Sequence, residues 1–577
     1  MTPISRHYIS VDGRLVHYRR AGTGPLLLLL HQSPQSSLDH VELMGRWAGR
    51  FTMLAPDRPG CGQSDPLPDA APAFDRYGDA TAAFLDALGV QRVPVYGFHT
   101  GASEALSLAA RHPQRVVAVA ANGVAALTPA ELAEIDREYL PLLQPSWDGA
   151  HLAWLWARMR DQTVFFPWFK RTRAARMGYD LSPPPRTQRF VLELLRAWRT
   201  YPVAYRAAFH FDGAAALRRS RAPMLVGAAG ADPLRGHLAR LGVAREGLEI
   251  RAFETAAAFE SAAADFLAGH AGQAAATATA AAGSTLASAA SPSPSAPPAE
   301  RRVRTATTRR FVGPPSAALH VAFDGPREGE RLVVLHDAGE RAASIAPLIA
   351  ALSAAGFNVL APDLPGHGES APLGADEPSP VEATAARIAE EFAGAPVTLL
   401  GLGAGAAVAL AAARSVRMSV ERVIAWQPSQ WPAADRAEII DAFAATPVAD
   451  GHGGHLSQAW HRARDAGLYH PWCLRRAVQA WQDEPRLDTL AVHERCVALL
   501  LSGEAGPALA ASAAADDLRQ RIESVAVPVR VMLDAAAPPS YLANLRGLLQ
   551  GSRATVEMVS GGLPTAMAAR LASLRSA

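Results

Sequence analysis

Cysteine is nearly absent from this chain. Cys61, Cys473 and Cys496 are the only three in 577 residues, too few and too scattered for a disulfide framework or a metal-ligand cluster. An excess of one charge is missing too. The 56 Lys and Arg stand against 54 Asp and Glu, a net +2, so no overall field draws the chain to nucleic acid or to an anionic membrane. No apolar stretch is long enough to cross a bilayer, the run Leu26–Leu30 being far too short, and no secretory apolar segment opens the sequence. A cytoplasmic protein without a membrane partner is therefore expected. No G-x-G-x-x-G loop follows the first strand-like segment, so neither a nucleotide cofactor nor a metal is expected.

What is present is punctuated by glycine turns. Leu26 to Leu30 has the character of a buried strand and ends in His31-Gln32-Ser33-Pro34. Met53 to Ala55 gives a second strand, followed by Pro56-Asp57-Arg58-Pro59-Gly60-Cys61-Gly62. The β-rich Val93-Pro94-Val95-Tyr96 then leads into Gly97-Phe98-His99-Thr100-Gly101, with a helical pattern from Ala102 onward. This last segment has the form of a G-x-S-x-G elbow, whose central residue sits on a tight strand-to-helix turn, but an imidazole occupies the tip. From about Tyr8 to Leu267 the order of motifs resembles the α/β-hydrolase superfamily. The resemblance implies a mostly parallel sheet flanked by helices, with a helical lid inserted after the sixth strand.

The second half repeats the first. His336-Asp337-Ala338-Gly339 follows His31 by 305 positions, Ala361 to Ser370 follows Ala55 to Ser64 by 306, and Gly401-Leu402-Gly403-Ala404-Gly405 follows the elbow by 304. Near-constant offsets across distant motifs point to duplication and fusion. Two tandem α/β-hydrolase-like domains are expected, at 1–270 and 309–577, with lids at about 126–215 and 428–520. The Ala/Ser/Pro-rich stretch 271–308 between them cannot bury enough surface to order itself and reads as a flexible tether. Packing between the two copies is also expected.

In this superfamily the nucleophile needs a histidine base, itself oriented by a carboxylate. Asp232 stands at the acid position after the strand-like Pro223 to Gly227, while its counterpart at an offset of 305 is Ala537. Neither half has a histidine in the turn after its last strand, the first half having none until His270 beyond the final helix, and Gly403 brings no functional group to the second elbow. The second half therefore reads as a pseudo-domain. In the first, His99 would act as an acid/base group or form an acyl-imidazole, supported by Asp232, with the Ser33 and Thr100 amides as an oxyanion hole. The plainer reading of His99 is a relic imidazole bonded to a neighbour. Cys61 reads as structural, Glu104 as a complement to its helix N-terminus, and Asp57 as a brace for its turn.

The lid pattern Gly149 to Trp168 repeats at Gly453 to Trp472, with His151/His455 and Arg158/Arg462 retained. His31, His151 and Arg158 are candidate substrate-binding residues, Arg158 because a guanidinium matches a carboxylate. Retention of the lid residues in the inactive-looking half favours a structural or copy–copy packing role for most of them. The expected function is hydrolysis or lyase-type cleavage of a small carbonyl compound, ester or β-dicarbonyl-like. The alternative is a catalytically silent ligand-binding or scaffolding protein. An open cavity where His99 and Asp232 converge favours the first, and a plugged one the second.

Overall fold

Five consecutive leucines form the central strand of the first sheet because every side chain on it is covered from one face or the other. The computed structural model describes residues 2–272, 275–276, 308–374, 377, 379–561 and 563–575. Most of the expected tether at 271–308 lies outside them. The chain divides into two units, one of residues 1–144 and 154–300, the other of 145–153 and 301–577.

In the first unit the strands are β1 (Ser5–Val11), β2 (Arg14–Ala21), β3 (Leu26–Leu30), β4 (Thr52–Pro56), β5 (Val90–Phe98), β6 (Val116–Asn122), β7 (Met224–Ala229) and β8 (Leu248–Phe253). Their order in the sheet is β1-β2-β4-β3-β5-β6-β7-β8, and the two-residue β9 (Ala275–Ala276) pairs with β5. From β4 to β8 every neighbouring pair on that path is parallel, which demands crossovers and helices on both faces. Leu28, Leu30, Val93, Val95 and Val119 belong to the core under one face, Leu27, Leu29, Tyr96, Val117 and Ala120 to the core under the other. This period-two split makes the strand sequences apolar throughout.

The second unit repeats the design. Its strands are β10 (Thr308–Val312), β11 (Leu319–Asp324), β12 (Arg331–Leu335), β13 (Asn358–Pro362), β14 (Val397–Leu402), β15 (Val420–Trp426), β16 (Val529–Asp534) and β17 (Thr555–Val559). They run β10-β11-β13-β12-β14-β15-β16-β17, the same topology. In each half of the chain a group of helices falls at one place between strands: Pro129–Glu138, Ala150–Gln162, Pro184–Arg196 and Tyr201–Phe209 come between β6 and β7, and Ala433–Ala444, Gly454–Asp465 and Thr489–Ser502 between β15 and β16. Among the described residues no single helix is long and apolar enough to cross a membrane.

The same buried braces recur in both units. His17 Nδ1 bonds Asp57 Oδ2 at 2.9 Å, and His320 Nδ1 bonds Asp363 Oδ2 at 2.9 Å. Asp57 in turn accepts the Ser37 amide, as Asp363 accepts that of Ala342. The expected bracing role of Asp57 is its observed one.

Candidate functional site

The elbow forms because two glycines let backbone approach backbone. A Cβ on Gly101 would lie 1.9 Å from the Leu30 carbonyl oxygen, and one on Gly97 2.2 Å from that of Gly101. Between them His99 is held at φ 49°, ψ −109°, a conformation that costs a non-glycine residue about 1–3 kcal/mol. Gly403 adopts nearly the same geometry, φ 54°, ψ −118°.

At the first elbow the strained turn puts His99 on the wall of a cavity of about 670 Å³, with Asp232, Ser33 and Thr100 beside it. His99 Nε2 hydrogen-bonds Asp232 Oδ2 at 2.8 Å, and the Leu234 amide donates to the other Asp232 oxygen at 2.8 Å. The ring is 24% exposed and the carboxylate 8%. Burial opposes charge on His99. The Asp232 carboxylate, the bond to it and the charge of Asp39 outweigh burial and raise the imidazole above its ordinary pKa. Burial likewise opposes ionisation of Asp232, but His99 and the Leu234 amide hold it below the usual carboxylate value. With Nε2 committed to Asp232, Nδ1 is the nitrogen left for a ligand.

Gly123 makes room for this ring. A Cβ there would stand 2.4 Å from His99 Cδ2 and 2.8 Å from Nε2. The corresponding residue in the second unit is Gln427, which carries a side chain at φ 46°. Backbone conformation alone thus does not require glycine at this place. The imidazole does.

The amides expected to form the oxyanion hole differ sharply between the units. Ser33 and Thr100 both line the first cavity, and neither amide donates to another group among the described residues. In the second unit the matching amides of Ala338 and Ala404 both donate to Asp337 Oδ1, at 2.8 and 2.7 Å. A Cβ on Gly403 would lie 2.2 Å from the Asp337 carboxyl carbon, so that carboxylate fills the place where an elbow side chain would stand. Gln32 replaces Asp337 in the first unit. Its amide turns to Asp39 instead, at 3.2 and 3.4 Å, and leaves the donor pair open.

Three expected substrate contacts fall outside the cavity lining. His31 is buried, takes the Arg58 amide on Nε2 at 2.9 Å and bonds the Gln32 carbonyl through Nδ1 at 2.8 Å. Burial pushes its pKa down to about 3, so it is a neutral turn brace, and His336 makes the same two bonds. His151 groups with the second unit and is held at its helix start by the Ser146 amide. Arg158 is buried, its guanidinium carbon 5.5 to 5.9 Å from the rings of Trp154, Trp168 and Tyr201. Cys61 is buried and its thiol is pushed up to about 12 by burial, which leaves it inert.

Two features escaped the sequence reading. Glu104 does not serve its helix N-terminus but pairs with Arg58 at 2.6 Å, both fully buried. Arg58 in turn donates to the His31 carbonyl at 2.5 Å and to Ser33 Oγ at 3.0 Å, clamping the loop that carries the Ser33 amide. The signal was present: at the matching offsets the pair becomes Leu364 and Val408, both buried and apolar. The second is Asp39, a half-buried carboxyl on the cavity wall, whose counterpart is Ser344. Among the described residues no group of three His, Cys, Asp or Glu side chains is placed to hold a metal ion.

Comparison with known proteins agrees with this architecture. Residues 25–152 match the model of the alpha/beta hydrolase fold, and residues 327–473 match a second model, described as serine aminopeptidase S33. An uncharacterized hydrolase of Saccharomyces cerevisiae is 35% identical over 116 residues, 20% of this chain and 40% of the relative. The 2-(acetamidomethylene)succinate hydrolase of Mesorhizobium japonicum is 35% identical over 121 residues, 20% of this chain and 43% of the relative. The matches thus span about two fifths of these relatives' length. Among solved structures, epoxide hydrolase A of Mycobacterium thermoresistibile aligns with a TM-score of 0.36 at 20% identity, over 46% of this chain and 98% of its own.

Proposed function

We propose that, of the two α/β-hydrolase domains this chain carries in tandem, the N-terminal one hydrolyses a small carbonyl compound, ester or β-dicarbonyl-like, while the C-terminal one is silent. The observation that carries this reading is the His99–Asp232 pair on an open cavity beside two undonated amides. A substrate carbonyl oxygen on the Ser33 and Thr100 amides would gain charge in the transition state, and one such donor contributes about 3–4 kcal/mol in comparable sites. Asp232 keeps a proton on Nε2 and favours the imidazolium, whose Nδ1–H can then serve as the acid. It can protonate the departing group as the carbon–heteroatom or carbon–carbon bond breaks. The cavity favours this reading over the ligand-binding alternative because, among the described residues, no group of the protein fills the donor pair, whereas Asp337 does so in the second domain. The relative named as a 2-(acetamidomethylene)succinate hydrolase is compatible with it.

The test is a panel of short acyl esters and β-diketones with the full chain and His99→Gly. Glycine suits the strained elbow, as Gly403 illustrates, so the variant keeps the fold. Turnover should fall by about 10²- to 10⁴-fold. Wild-type turnover that survives in the variant would remove His99 from the chemistry, and an inert wild type that still binds such compounds would favour the ligand-binding alternative.

A further inference from the structure

Hydrolysis with His99 as the acid needs a base for the water, and no histidine of the first domain other than His99 and His40 lines the cavity. His40 is pushed down to about 4 by burial and lies against Tyr96, which makes it a poor proton acceptor. Asp39 differs. It stands on the wall shared with His99, six residues beyond Ser33, on the short helix Ser37–His40. The Gln32 carboxamide donates to it at 3.2 and 3.4 Å and so fixes its orientation. No cation forms an ion pair with it among the described residues. Arg189 is engaged with Glu42 at 3.5 Å, and Arg186 lies over the Phe190 ring.

We propose that Asp39 is the general base of this site, an assignment that rests on the hydrolytic reading of the cavity. The water oxygen bonds the carbonyl carbon while its proton passes to the Asp39 carboxylate, and the resulting oxyanion sits on the Ser33 and Thr100 amides. As the carbonyl reforms, the bond to the leaving group breaks, its electron pair departs with that group, and the group takes the His99 Nδ1 proton. The proton on Asp39 then returns to the neutral imidazole, so one water is consumed and both groups are reset.

Two observations support the assignment. First, burial raises Asp39 to about 6 against the lowering effect of Gln32, Arg189, His99 and Arg186, while the charge of Asp39 helps to raise His99. The groups facing Asp39 are thus His99, the two arginines and the Tyr96 phenol. Above about pH 6 Asp39 is thus a carboxylate base, and the upward shift of His99 favours the imidazolium acid in the same cavity. Second, the duplicate loses the reactive groups as a set. Asp39, His99 and Asp232 become Ser344, Gly403 and Ala537, while the bracing His17, His31 and Asp57 remain as His320, His336 and Asp363.

The experiment is the pH dependence of turnover by the full chain and by Asp39→Asn, with Asp39→Ala tested in added formate. Wild-type kcat should follow a bell with its acidic limb near pH 6, governed by Asp39, and an alkaline limb governed by His99. Asp39→Asn should lower kcat at least about 100-fold with little change in KM, and the acidic limb should vanish. Formate should restore part of the activity of Asp39→Ala, which a merely structural loss would not allow. Asp39→Asn with kcat within about threefold of wild type, or with the acidic limb intact, would overturn this assignment alone. Wild type inert toward every ester and diketone would overturn the hydrolytic reading and this assignment with it.

Discussion

Gly123→Ala is the sharpest single perturbation of the site, because it adds one carbon and removes nothing. Ordinary carbon contacts begin near 3.5 Å, whereas the new Cβ would start 2.4 Å from His99 Cδ2, so the ring must give way by about 1 Å. The ring is not free to do so cheaply. Its Nε2 is tied to Asp232 at 2.8 Å, and a displacement of that size away from the carboxylate takes the bond past the range in which it is useful. The backbone cost is separate and smaller, about 1–2 kcal/mol for alanine at φ +74°. Thermal denaturation should therefore move by only a few degrees. Turnover should drop by about 10²-fold from misplacement alone. The alkaline limb of the pH profile should fall toward an ordinary imidazole value as Asp232 is lost to His99. In His99→Gly the ring is gone, so adding Gly123→Ala to it should cost only the backbone strain. Wild-type turnover with an unmoved pH profile in Gly123→Ala would refute the claim that this glycine exists for the imidazole.

Other consequences can be checked in the same preparations. Because the neighbouring carboxylates raise His99, the acid form persists above pH 6.5, and kcat should decline only as pH rises past that raised value. Asp232→Asn should bring the decline to lower pH, which an activity–pH series reads directly. The same pair should stabilise the fold most where both members are charged. The His99 contribution is lost as pH rises through its raised pKa, and that of Asp232 as pH falls through its lowered one, so the melting difference between wild type and His99→Gly should peak between those limits. Asp337→Ala strands two partly buried amides in the second domain and should destabilise it by about 1–2 kcal/mol in denaturant titrations, with turnover by the first domain unaltered. Arg58→Leu or Glu104→Val alone should destabilise by about 3–5 kcal/mol, while the double variant, which reproduces the Leu364–Val408 pair, should recover most of that loss.

The scaffold was legible in the sequence because close backbone approach leaves so little choice. Gly97 and Gly101 face carbonyl oxygens at distances no side chain tolerates, and the matching glycines recur 304 positions later, so both elbows announced themselves. Asp232 was legible for a similar reason, since its place after β7 follows from topology. Polar pairs made in space were not. Arg58 and Glu104 meet across 46 positions, and nothing in either local pattern indicates the partner. His31 stood among the candidate substrate contacts because a histidine at a strand end beside the oxyanion loop looks placed to meet a ligand. Both its nitrogens are spent on backbone, a fact visible only once the turn is folded. Asp39 sits in a polar stretch that reads as an ordinary helix start, and only the cavity singles it out.

Asp337 puts a lock on the elbow amides of the second domain. A carboxylate on two elbow amides resembles the acid that a hydrolase holds just after bond cleavage, here made permanent by attachment to the chain. A tethered group acts at an effective concentration in the millimolar range or above, without any diffusional step, so free carboxylates in solution have little chance to displace it. Placing a serine at position 403 would accordingly meet an occupied seat, its Cβ against the carboxyl carbon. On the reading proposed for the second domain, giving its elbow a side chain requires residue 337 to change first.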